Sequence, residues 1–160
     1  MLIDRVVVNA SPLIVLFKSG QADLLPNLFR KVLVPQAVWQ EVTIPQDDVA
    51  SRQLPGSAWA LPTEVLISPE IAAWDLGAGE SAVLSYGFQN PSYRAIVDDA
   101  AARRCARSLG IAVLGTGGII VLAKRRGLID SVDNRLKRLQ DAGLWLSESV
   151  VAMLKQQAGE

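Results

Sequence analysis

The strongest constraint on the fold is a short aliphatic run that passes straight into a helix, and the chain repeats it. Val6-Val7-Val8 is a continuous β-branched run. Such a run suits a strand buried on both faces of a parallel sheet, where no side chain has water to face. It stops at Asn9-Ala10-Ser11-Pro12, where Ser11 is placed to cap a helix and Pro12 to take its first position. Leu13, Leu16 and Phe17 then form an apolar helical face that ends near Gly20. A second helix is predicted over residues 22–28. Lys31-Val32-Leu33-Val34 repeats the strand pattern, and Pro35 opens a helix carrying Val38, Trp39 and Val42. Strand, helix and strand joined this tightly predict a βαβ layout with a parallel sheet. At 160 residues the chain is expected to be a single domain, since domains commonly run about 100–200 residues.

Residues 44–62 contain Pro45, Pro55, Gly56 and Pro62 and are expected to form an excursion or lid on that domain. Residues 64–67 are predicted as a short strand. Gly77-Ala78-Gly79-Glu80 opens a helix ending near Gly87, and Arg94-Ala95-Ile96-Val97 is a strand terminated by Asp98-Asp99. A helix over 100–109 follows, with Gly110 as its stop. Ile111-Ala112-Val113-Leu114 is another strand, closed by Gly115-Thr116-Gly117-Gly118. A helix over 119–126 begins apolar and ends basic. Two amphipathic helices, over 132–140 and 147–156, are expected to pack residues 131–160 onto the same domain.

Composition narrows the chemistry. The chain has no histidine, which removes imidazole bases, serine and cysteine triads of the usual kind, and histidine-ligated zinc. Catalysis must therefore use carboxylates, lysine, tyrosine, a hydroxyl or a hard cation bound through oxygen. Cys105 is the sole cysteine, which favours a reducing compartment. No apolar run reaches the roughly 20 residues of a membrane span. Met1-Leu2-Ile3-Asp4-Arg5 places an acid where a secretory signal would carry basic residues. A cytoplasmic protein is expected.

The net charge is zero, but residues 94–138 carry ten basic against four acidic residues. That block could attract a polyanion, or could simply coat solvated helix faces. On the first view Arg103, Arg104, Arg107, Lys124, Arg125 and Arg126 contact phosphates, with Lys124 beside the site because its helix follows Thr116. Arg135, Lys137 and Arg138 are expected to be solvated.

The acids carry the functional reading. Ligands of open parallel sheets bind beyond the carboxyl ends of the strands, and Asn9, Asp98-Asp99 and Thr116 all fall at predicted strand ends. Glu41 and Glu80 lie on helices, Glu41 toward the core side and Glu80 in a first turn, where a carboxylate complements the helix dipole. Grouped carboxylates repel, and a divalent cation holds them together. Mg²⁺ or Mn²⁺ prefers such oxygen ligands and activates water against a phosphodiester. Taken singly, Asp98-Asp99 and Thr116 also fit helix caps, Glu80 a helix-start acid and Glu41 a surface glutamate.

The segments 6–14, Val34-Pro35 through Glu41-Val42, Gly77-Ala78-Gly79-Glu80, Ile96-Val97-Asp98-Asp99 through Ala102-Arg103, and Leu114-Gly115-Thr116 through Ile129 together resemble PIN-domain proteins. The likeness extends to the prokaryotic subgroup similar to the toxins of type II toxin–antitoxin pairs. It implies a three-layer α/β/α fold and a Mg²⁺- or Mn²⁺-dependent ribonuclease. The family's acidic quartet falls on Asn9, Glu41, Glu80 and Asp98, with Asp99 as an adjacent ligand or substitute. Ser11 and Thr116 match hydroxyl positions near the metal. The resemblance also implies a small antitoxin partner and a homodimer. Asn9 departs from the family's aspartate, keeping a ligating oxygen but losing its charge, which lowers metal affinity.

Two other readings follow from the residues. A PIN module that binds RNA or a protein without cutting is supported by Asn9. A dinucleotide-binding Rossmann-type protein is supported by Gly77-x-Gly79-x-x-Ala82, with Asp98 about twenty residues on. Against that second reading, Trp74-Asp75-Leu76 follows Ile71 where a strand should lead into Gly77, and Glu80 places a charge in the loop meant for a pyrophosphate.

Overall fold

The computed structural model describes residues 3–44 and 47–160. Met1, Leu2 and Pro45, used above for the chain start and the excursion, lie outside the described residues. Strands β1 (Arg5–Val8), β2 (Lys31–Pro35), β3 (Ala60–Thr63), β4 (Arg94–Ile96) and β5 (Val113–Leu114) form one sheet in the order β3-β2-β1-β4-β5, with every pair parallel. Helices α1 (Ala10–Lys18), α2 (Leu24–Leu28), α3 (Gln36–Thr43), α4 (Val49–Gln53), α5 (Pro69–Ala72), α6 (Ala78–Gln89), α7 (Ala100–Leu109), α8 (Thr116–Arg125), α9 (Val132–Asp141) and α10 (Glu148–Gln157) flank it. This is the expected α/β architecture of a parallel sheet between helices. The central strand is as dry as its sequence demands: Val6, Val7 and Val8 are all fully buried, each contributing about 1.5–3 kcal/mol of burial.

The strand order creates a crevice. From β1 the chain steps one way along the sheet to β2 and β3, then returns and steps the other way through β4 and β5. The direction reverses between β1 and β4, and open parallel sheets bind ligands at such a reversal, beyond the strands' carboxyl ends. Asn9 follows β1 there, its amide donating to the Ile96 carbonyl at 3.1 Å, and the Val97 amide donates to the Leu114 carbonyl at 3.2 Å. The ends of β1, β4 and β5 are thus laced together.

Several local expectations are corrected. Helix α1 starts directly after β1 with Asn9 as its N-cap, not Ser11, so Pro12 is its third residue. Proline is tolerated there because first-turn amides have no helical partner to lose. The strand expected at 64–67 lies instead at Ala60–Thr63, pairing Leu61 with Leu33 and Pro62 with Val34. As an edge strand it can accommodate a proline. The expected lid over 44–62 is therefore partly sheet, and it also supplies α4 and a 3-10 turn at Leu54–Gly56. Asp48 and Ser51 cap α4 reciprocally, and Leu54 is fully buried. Helix α6 runs through Gly87 to Gln89, while α7 ends at Gly110, which takes the left-handed conformation with φ 71°.

Helix α8 begins three residues early, at Thr116, with Gly115 as its N-cap. Thr116 therefore does not cap it. A Cβ on Gly117 would lie 2.6 Å from Leu154 Cδ1, so glycine is what lets α10 dock against the first turn of α8. Helices α9 and α10 pack on α8 and on each other, burying Val132, Leu136, Leu139 and Leu154 in the common core. Among the described residues no helix is long and apolar enough to cross a membrane.

Candidate functional site

Asn9 is only 4% exposed, and its side chain makes no cap bond to its own helix. Its Oδ1 turns toward Gly79 at the start of α6. A Cβ on Gly79 would sit 3.2 Å from Asn9 Oδ1 and 2.7 Å from Glu41 Oε1. The missing side chain lets oxygens from α1's cap and from α3 converge on one point. Gly77 does the same for Glu80, whose Oε2 lies 2.5 Å from where a Gly77 Cβ would be. The glycines of Gly77-Ala78-Gly79-Glu80 thus make room for carboxylates. The segment before them is α5 followed by a turn in which Asp75 has φ 54°. The strand that dinucleotide binding would need is missing there, and that reading falls.

Glu41 is exposed as a residue, contrary to the core-side placement expected for it, but its carboxyl end lies against Gly79. Burial of that end first, and the neighbouring Glu80 charge second, push the Glu41 carboxyl above its usual range; the Gly79 amide partly offsets them. Two like charges are therefore held near each other on adjoining helices.

Asp98 is half-buried and firmly oriented. Its Oδ1 accepts the Thr116 amide at 2.8 Å, and its Oδ2 accepts the Thr116 hydroxyl. The adjacent Asp99 caps α7 by accepting the Ala102 amide at 2.9 Å. The two aspartates therefore differ: Asp99 spends an oxygen on local structure, whereas Asp98 is clamped by the next strand's exit. Arg103 Nη1 donates to the Val97 carbonyl at 3.1 Å and lies close to Asp98 across Gly115.

Glu80, Asp98, Asp99 and Ser11 line one open cavity of about 470 Å³, together with Trp145 and Leu144 from the α9–α10 connection. A second cavity, of about 440 Å³, is also lined by Asp98, with Arg103, Gly115 and Leu154 among others. The acidic and hydroxyl side chains lining the first cavity, Ser11, Glu80, Asp98 and Asp99, offer oxygen donors, as a hard divalent cation prefers. Among the described residues no three Asp, Glu or Cys side chains form a common metal cage. The donor set fits the mode in which Mg²⁺ is held by one or two carboxylates and keeps several waters. It does not fit a closed protein cage.

The basic block divides. Arg103, Arg104 and Arg107 lie on α7, which starts at the site. Lys124, expected beside the site, is instead at the far end of α8, where its ammonium donates to the Asp130 carbonyl. Arg125 donates to the Gln157 carbonyl at 3.0 and 2.7 Å, and Arg126 to the carbonyls of Leu28 and Ile3, each at 2.6 Å. A helix that begins at the strands' carboxyl ends must finish near their amino ends, and α8 carries these cations with it. Trp145 escaped the sequence reading because a lone tryptophan in a short helix connection has no local signature.

A search of curated proteins returned no match. A family model, DUF3368, described as a PIN domain, matches residues 5–160, which takes in all five strands and every residue placed at the crevice above. The chain belongs to the PIN-domain family.

Proposed function

We propose that this PIN domain is a cytoplasmic, Mg²⁺- or Mn²⁺-dependent ribonuclease that hydrolyses RNA phosphodiesters at the crevice between β1 and β4. PIN domains are generally nucleases. The observation that carries the reading for this chain is the cavity where Glu80, Asp98, Asp99 and Ser11 meet at the reversal of strand order. When bound, a divalent cation would supply Lewis acidity toward the phosphate and ease deprotonation of water. The protein's part is positioning and proton handling. Asp98, fixed by two donors from Thr116, and Glu80 across the cavity are the carboxylates that would hold the cation, with Asn9 adding a neutral oxygen. Glu41, whose carboxyl holds a proton more readily than usual, is suited to accept one from the attacking water. Arg103, Arg104 and Arg107 supply phosphate contacts along α7.

Asn9 favours a second reading, a PIN module that binds RNA or a protein without cutting. The test is Mn²⁺-dependent cleavage of a single-stranded RNA by the wild type, Asn9→Asp and Asp98→Asn. Asn9→Asp is expected to raise Mn²⁺ affinity and rate by about tenfold or more, and Asp98→Asn to abolish cleavage. RNA binding without cleavage in both wild type and Asn9→Asp would establish the second reading instead. A toxin role, with a small inhibitory partner and a homodimer, rests on the motif likeness. Co-purification with the product of a small adjacent open reading frame tests it.

A further inference from the structure

Trp145 is 81% exposed, which forgoes the burial most tryptophans gain. The surrounding backbone is nevertheless tied down. The Gly143 amide donates to the Gln140 carbonyl and the Leu144 amide to the Leu139 carbonyl, both at 3.0 Å, while Gln140 Nε2 donates to the Leu146 carbonyl at 3.3 Å. Leu144 and Leu146 pack against the core on either side. The loop is anchored through its neighbours while the indole is held in solvent.

That indole lines the same cavity of about 470 Å³ as Ser11, Glu80, Asp98 and Asp99. The volume lies within the roughly 300–1,000 Å³ of small-molecule sites. An apolar protein anchor seated there would strip water from the carboxylates without replacing their hydrogen bonds. A nucleobase presents a flat π face to the indole and N–H groups to the acids, and every base offers such a face. We infer that Trp145 is a stacking platform for a nucleobase of single-stranded RNA, adjacent to the phosphodiester presented to Glu80 and Asp98. The inference builds on the ribonuclease reading of that site.

The test uses full-length protein with oligoadenylate and oligouridylate. In an Asp98→Asn background, which leaves the RNA uncut, RNA is expected to quench tryptophan emission. Adding Trp145→Ala should remove the quenching and weaken binding by about tenfold or more, while Trp145→Phe retains most of it. In the active protein Trp145→Ala should raise KM far more than it lowers kcat. Unchanged RNA affinity and KM in Trp145→Ala, with cleavage intact, overturns the platform and leaves the nuclease reading standing. Trp145-dependent RNA binding in a protein that never cleaves supports the platform and removes the nuclease reading. Absence of RNA binding by the wild type overturns both. A change confined to the sedimentation coefficient of Trp145→Ala assigns the indole to a protein contact and also overturns the platform.

Discussion

The two ends of the sheet treat charge in opposite ways. At the amino end Arg126 bridges the carbonyls of Leu28 and Ile3, and Lys124 and Arg125 donate to those of Asp130 and Gln157. Two of these partners lie at or next to the ends of α2 and α10, where outward carbonyls carry partial negative charge and cations are favoured. At the carboxyl end Glu41 and Glu80 lie near each other with like charge, and both oxygens of Asp98 are held by Thr116. Charge spent on backbone groups marks architecture. Under the proposed function, charge held near like charge is what an arriving cation would relieve.

Substitutions at each end should sharpen or break that contrast. Thr116→Val removes the hydroxyl from Asp98 and should cut metal affinity and cleavage by about 10–100-fold, with circular dichroism unchanged; calorimetric Mn²⁺ titration reads the effect. Arg126→Ala should do the reverse, lowering unfolding free energy in urea by about 2–3 kcal/mol while the cleavage rate per folded molecule stays the same. Gly79→Ala pushes a methyl group toward Glu41 and Asn9. A cleavage loss of about tenfold is expected from the displaced oxygens, with stability shifted by less than about 1 kcal/mol because alanine favours the helix. Arg125→Ala, at an exposed helix end, should cost only about 0.5 kcal/mol. If it instead collapsed RNA affinity, the amino end would have to be counted as a nucleic-acid surface.

The sequence exposed the strand–helix pairs because Val6-Val7-Val8 and Arg94-Ala95-Ile96-Val97 are local patterns, each closed by its own polar residue. The meeting of Asp98 and Thr116 at neighbouring strand ends followed from parallel pairing alone. Other features depended on distant partners. Pro62 disguised β3, which accommodates the proline as an edge strand of the described sheet. The purpose of Gly79 is set by a glutamate thirty-eight positions earlier in the chain. Lys124 seemed to belong to the site by adjacency to Thr116, yet at about 1.5 Å per residue a helix carries it some 12 Å away.

The seating of Leu154 on Gly117 has a practical consequence. Thr116, the residue that grips Asp98, immediately precedes that glycine, so the final helix acts as a splint on the grip. Trimming the chain before Leu154 should therefore loosen an aspartate more than fifty positions away, and a fusion partner attached at that end needs a linker long enough to leave the splint in place.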